Sequence, residues 1–205
     1  MTLDSTMVLS EKMQSKIHQE YKILAEFKML QSECIPGLYL IPSAESSFAW
    51  FGVIFVRQGL YQDGIFRFLI SIPQDFPNTS QPPTVIFQSE VYHPSICPFT
   101  GTMDISEAFP KFSSDNHLWQ IAKYIIYLFE YPDQGKVVNK EAFEAWTNNN
   151  AEFMAKVKES VKMSLDKLYD PAPTEDKHYI KFDKYENEIH DPVLEEMKNC
   201  AEESL

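Results

Sequence analysis

Residues 76–104 read FPNTSQPPTVIFQSEVYHPSICPFTGTMD, and the way this stretch sets prolines around one short apolar run decides the fold. Pro82 and Pro83 have no amide donors, so they carry the chain out of a loop in an extended conformation and into a strand, Thr84-Val85-Ile86-Phe87. From Gln88 to about His117 the chain has Pro94, Pro98, Gly101 and Pro110 but no regular period, and a loop that long in a compact domain is commonly functional or descended from something functional. Upstream, Leu38–Ile41, Phe48–Val56 and Ile65–Ile72 are rich in aromatic and β-branched residues. Turn formers such as Gln62-Asp63-Gly64 separate them, which predicts a strand meander. Downstream, Leu118, Ile121, Ala122, Ile125, Ile126 and Phe129 share one helical face with Gln120 and Lys123 opposite, so a central, buried helix is expected. Further helices are predicted around Lys140–Trp146 and along Phe153, Val157, Val161, Leu165 and Leu168. On the N-terminal side Ile23, Leu24, Phe27, Leu30 and Cys34 fall within an arc of roughly 120°, which predicts an amphipathic helix stopped by Pro36-Gly37. Helix, four strands, structured loop, helices: the order is that of an α+β fold with an antiparallel meander.

The chain has 205 residues, enough for one ordinary domain with terminal extensions. Eighteen Lys and Arg against thirty Asp and Glu give a net charge of −12, which argues against a broad phosphate-binding surface, so nucleic acid is not expected as a partner. The longest apolar stretches, such as Phe48–Val56, are too short to cross a bilayer, and the N-terminus has no signal-peptide pattern; the expectation is a cytoplasmic chain without direct membrane insertion. Cys34, Cys97 and Cys200 have neither CxxC nor Cys/His ligand spacing, so neither a disulfide framework nor a zinc site is indicated. Residues 1–15 read as a flexible terminus, 16–169 as the domain, and 170–205 as an acidic extension with eleven acids against four lysines. That extension reads either as a solvated tail or as a segment docked on the domain. Tyr179, Ile180, Phe182 and Tyr185 favour partial docking before a short helix starting at Asp191-Pro192.

Several features together carry a resemblance to the ubiquitin-conjugating enzyme fold over about residues 16–169. They are the element order, the loop from Phe76-Pro77 to Pro82-Pro83, the Tyr92-His93-Pro94 turn, Gly101, and Trp119 opening a helix. WFGVIFVRQGLYQDGIFRF, YHP, TGTMD, AFPKF and NHLWQ, together with TEDKHYIKF and HDP beyond the domain, resemble one catalytically inactive branch in particular, the fused-toes (AKT-interacting protein) family. In the conjugating-enzyme pattern the catalytic cysteine stands three residues after the loop glycine. Here that count from Gly101 reaches Asp104, and the Asn of the HPN motif is replaced by Ser95. A thioester needs a thiolate, whereas an acyl carboxylate would be a labile anhydride, so the resemblance implies a vestigial site of His93, Pro94, Ser95 and Asp104 and no enzyme. The loop from His93 to Asp104 is also one residue longer than the family's usual spacing.

Cys97 lies in the right loop but seven residues before Asp104, and reads as a bland thiol; His93 reads as a pin for the loop and His117 as a capping or packing residue. Lys16, Lys22 and Lys28 alternate with Glu20, Glu26 and Glu33 on the first helix, unlike the basic stripe that conjugating enzymes offer their activating enzyme. No phosphate loop, dinucleotide fingerprint, HExxH or GxSxG is present, and no cofactor is implied. The resemblance implies an adaptor subunit working with a Hook-type coiled-coil protein and a large FHIP-type subunit, and with an AKT-type kinase. The same resemblance implies that such a complex links early endosomal vesicles to dynein-driven transport. A ubiquitin- or peptide-motif-binding variant of the fold is the alternative, and an enzyme acting through Cys97 a third reading. Trp146, Tyr124, Tyr127 and Tyr131 are the candidate partner-binding residues, because aromatics are enriched at interface cores.

Overall fold

Alternation along two neighbouring strands sets the two faces of the sheet. A computed structural model describes residues 2–202, with side chains described from Met13 to Asn199. In β2 (Ala49–Phe55) and β3 (Ile65–Ser71), Trp50, Gly52 and Ile54 and then Phe66, Phe68 and Ile70 point inward and are buried. Phe51, Phe55 and Arg67 point the other way. Gly52 pairs with Phe68 across the ladder, and a Cβ there would come within 2.4 Å of the Phe68 ring, so only glycine lets that ring lie flat on the strand. With β1 (Leu38–Pro42), β4 (Thr84–Phe87) and β5 (Thr102–Met103) the sheet is fully antiparallel in the order β1-β2-β3-β4-β5. The first four strands fall where the sequence predicts them. The fifth does not show in the sequence pattern, because two residues are too few to display a period.

The inner face is closed by α2 (Leu118–Glu130), whose Leu118, Ile121, Ala122, Ile125, Leu128 and Phe129 are buried, with the Phe129 ring 5.4 Å from Phe66 and 5.6 Å from Phe87. The helices α3 (Lys140–Asn148) and α4 (Asn150–Asp166) follow. Asn139 and Asn149 cap them, each side chain accepting from a backbone N–H of the first turn. Ile23 and Leu30 of α1 (Thr2–Ser32) are buried, Phe27 is half-buried with its ring edge-on to Trp50 at 5.6 Å, and the third buried residue is Glu26. Three expectations about this helix need correction. It begins at Thr2, through residues read as a flexible terminus, since no Gly or Pro interrupts the chain before Pro36. Leu24 is exposed, because the buried face is narrow and is centred on Glu26. Cys34 lies past the helix end, exposed and with φ +44°. On α4, Leu165 is likewise exposed.

The acidic extension is docked on the outward face of the sheet. Tyr179 packs on Phe51 at 5.2 Å and Phe182 on Phe55 at 5.8 Å, while the Arg67 guanidinium sits 4.9 Å from the Phe182 ring centre and donates to Leu168 O at 2.8 Å. At its start Asp176 accepts from Ser43 Oγ (2.5 Å), Ala44 N (3.1 Å) and His178 N (2.8 Å). These bonds, the Ser43 hydroxyl first, hold its carboxyl down at about 2. The helix after the strap, α5 (Asn187–Glu202), begins before the predicted Asp191-Pro192 start and carries Pro192 inside it. Its first turn is closed by Tyr185 Oη donating to Asp191 and by Glu186 N donating to His190 Nδ1. The side chain of Cys200 lies outside the described residues. Among the described residues no helix is long and apolar enough to cross a membrane.

Asp176→Asn keeps the shape of the clip and removes its charge, so amide-exchange protection of residues 176–182 is expected to fall by about tenfold while that of α2 is unchanged. In the parent chain the carboxylate's contribution is complete above its ordinary value of 3.8 and is lost as pH falls through about 2, because the folded pKa is the depressed one.

Candidate functional site

The long loop predicted from Gln88 to His117 is ordered by three anchors. His93 is fully buried between the rings of Tyr61 (5.7 Å) and Phe129 (5.6 Å). Its Nδ1 accepts from Ser95 N at 2.9 Å, which leaves the proton on Nε2, and Nε2 donates to Leu128 O at 2.9 Å. Burial holds the imidazole neutral, pulling its pKa down to about 4 against the opposing pull of the Leu128 bond. Pro94 supplies the second anchor: its carbonyl accepts from Val138 N (2.9 Å) and Asn139 N (2.8 Å), tying the loop to the segment before α3. The third is Gly101, at φ +69°, whose carbonyl accepts from Phe87 N at 2.8 Å; a Cβ there would lie 2.2 Å from Phe87 O. His93 is thus a structural pin, as its place in the sequence suggests.

Asp104 follows β5 directly, and its backbone N–H donates to Ser95 O at 2.9 Å, so the structure brings together the four residues of the expected vestigial site. Its carboxylate is engaged locally. Oδ1 accepts from Ser106 N at 2.8 Å, and Oδ2 faces Lys136 Nζ at 3.8 Å, while that ammonium also donates to Ser106 Oγ at 3.3 Å. Ser95 is fully buried, and its Oγ has no partner. Gly135 closes over it so tightly that a Cβ on the glycine would lie 2.3 Å from that oxygen. A side-chain amide at position 95 would therefore need this loop to move. The hydroxyl is sealed away from any substrate.

Cys97 is half-exposed on the far side of the same hairpin, in a cleft it shares with Tyr92, Asn139, Lys156 and Ser160; Asp104 is not part of that cleft. Hydrogen bonds from the Thr100 side chain and from the Phe99 and Thr100 backbone hold its thiol below the ordinary value. His117 precedes α2, with Nδ1 2.9 Å from Glu26 Oε1, and Glu26 Oε2 accepts from Leu118 N at 2.9 Å. The buried carboxylate of α1 thereby caps α2, and His117 is a packing and capping residue. Among the described residues no cluster of His, Cys, Asp and Glu could hold a metal ion.

The aromatic candidates separate. Trp146 is half-buried against Phe153 at 5.2 Å and belongs to the domain's packing. Tyr124, Tyr127 and Tyr131 form a ladder along α2 and its end, with centroids 6.0 and 5.1 Å apart, and Tyr127 and Tyr131 are exposed. Burial, and then the charges of Glu107, Tyr127 and Asp104, push the Tyr124 hydroxyl up. Lys136, Ser106 and Gly135 complete the site without any signal in the sequence, since nothing in their spacing relates them to Asp104.

A ubiquitin-conjugating enzyme model matches residues 17–161, and the E2 domain of a Toxoplasma gondii ubiquitin conjugating enzyme shares the fold, with a TM-score of 0.60 at 22% identity over 69% of this chain and 95% of that one. The chain belongs to the ubiquitin-conjugating enzyme family, in the branch of variants that holds the fused-toes and crossbronx proteins. A protein crossbronx homolog of Culex quinquefasciatus is 48% identical over 97% of this chain and 87% of its own length. Protein crossbronx of Drosophila persimilis is 48% identical over 89% and 78%.

Two measurements check the site's architecture. His93→Ala is expected to lose about 2–4 kcal/mol of unfolding free energy, through the cavity and the two abandoned hydrogen bonds. The unfolded imidazole takes up its proton near 6.5 and the folded one only near 4. The parent should therefore lose about 3 kcal/mol as pH is lowered between those values, a slope that urea titrations of His93→Ala should not show.

Proposed function

We propose that this chain is a non-catalytic adaptor, a conjugating-enzyme fold retained for its surfaces. The observation that carries the reading is Asp104: a carboxylate stands at the family's nucleophile position, bonded to Ser106 N and facing Lys136, inside a loop that His93, Pro94 and Gly101 still hold in place. The nucleophile's place is filled and the scaffold around it is intact. Resemblance to the fused-toes family supplies the partners of this reading: a Hook-type coiled-coil protein, a large FHIP-type subunit and an AKT-type kinase. In this reading the chain works in the cytoplasm, reaches early endosomes through those partners, and helps link vesicles to dynein.

The exposed Tyr127 and Tyr131 beside the site favour a second reading, a variant that binds ubiquitin or short peptide motifs through this aromatic ladder.

Affinity capture with the full chain separates the two. The adaptor reading expects a Hook-type coiled-coil protein and a large subunit in stoichiometric amounts, and no saturating chemical-shift change on titration with sub-millimolar ubiquitin. Capture of ubiquitinated proteins alone, together with saturable ubiquitin shifts at the tyrosine ladder, would establish the second reading instead.

A further inference from the structure

The helix α1 carries two apolar stripes; its own domain buries one, and of the other it uses only the half-buried ring of Phe27. Ile23, Glu26 and Leu30 face the domain and are buried. A separate line through Met13, Ile17, Glu20, Leu24, Phe27 and Gln31 alternates steps of four and three residues, the seam spacing at which one helix packs along another. Four of its six positions are apolar. Met13, Ile17 and Leu24 are all at least half exposed, and Tyr21 beside them is 69% exposed. The line runs about 27 Å. At its C-terminal end it enters an open groove of about 800 Å³ walled by Phe27, Gln31, Tyr39, Val53, Phe55 and Phe182. The docked strap forms one wall of that groove, so the surface is complete only when the acidic extension is in place.

We propose that this seam is the docking site for one amphipathic helix of a partner protein, apolar along its ridge and acidic beside it; this rests on the adaptor reading above and assigns it a surface. A helix is the occupant because a straight apolar line of alternating four- and three-residue steps is the seam along which a second helix packs lengthwise. Acidic flanks follow from Lys16 and Lys28, which lie on the two sides of the line and are in no ion pair with a described residue. Glu20 in the middle of the seam fixes the register by demanding a polar or basic residue opposite it. The chain's own α5 is not the occupant. Its root follows Phe182 at the groove after four intervening residues, yet Ile189, Val193 and Met197 remain exposed, and laid in the seam register it would set Glu196 between its apolar residues.

The test measures binding of the full chain to the Hook-type coiled-coil protein by biolayer interferometry. Ile17→Glu/Leu24→Glu alters only exposed positions, so the melting temperature should hold while affinity falls by about tenfold or more. Lys16→Glu/Lys28→Glu should weaken binding severalfold, with the deficit shrinking as salt is raised. Parent-like affinity in the first variant overturns the seam and leaves the adaptor reading standing. If the parent does not bind this protein, the adaptor reading fails by itself. The seam is then tested with a three-heptad synthetic helix carrying Leu at its core positions and Glu beside them, against the same helix with Lys beside them. Preference for the Glu helix, lost in Ile17→Glu/Leu24→Glu, supports the seam; no preference overturns it. Concentration-dependent dimers that vanish in that variant would give the seam to a second copy and overturn the partner assignment.

Discussion

The buried imidazole of His93 is the constraint on which the loop architecture rests. One ring nitrogen receives Ser95 N and the other reaches Leu128 O at the end of α2, so a single neutral side chain ties the loop between β4 and β5 to the central helix. The bond to Ser95 N sets the turn at Pro94, the Pro94 carbonyl gathers Val138 and Asn139, and Asn139 in turn caps α3. None of these bonds involves residue 104. The anchors of the loop are therefore independent of the side chain at position 104, and that is the physical reason this loop accommodates a carboxylate there.

The second departure from a bare domain is the strap. The outward face of the sheet presents Phe51 and Phe55 with Arg67 between them, and Tyr179 and Phe182 cover those rings. The acidic excess of the extension thus sits on an aromatic docking segment. Asp176, one of those acids, accepts from the Ser43 hydroxyl and Ala44 N just past β1 and from His178 N in its own turn. A face that would otherwise stand open is closed from within the chain, and the remaining apolar surface shifts to the groove beside α1.

Much of this was legible in the sequence. The meander and the central helix follow from periodicity and paired prolines, whereas the reading of Asp104 rests on the family resemblance, since a count of three from Gly101 has meaning only against the conjugating-enzyme pattern. The edge strand Thr102–Met103 was hidden by its length, and the true burial of α1 by Leu24, which has the spacing of a core residue and faces solvent. The clip at Asp176 and the arginine under Phe182 join residues more than a hundred positions apart, and no local pattern records such pairs. Gly135 over Ser95 belongs to the same class: its role lies in what a side chain there would strike.

The central claim is that the intact loop no longer accepts an acyl group. Charging tests it most directly: the full chain is incubated with activating enzyme, ATP and ubiquitin, then run on reducing and non-reducing gels beside Cys97→Ser. The account predicts no reducible adduct in either protein. A reducible ubiquitin adduct on the parent chain that disappears in Cys97→Ser would contradict it, and would move the active centre to the cleft that Cys97 shares with Lys156 and Ser160.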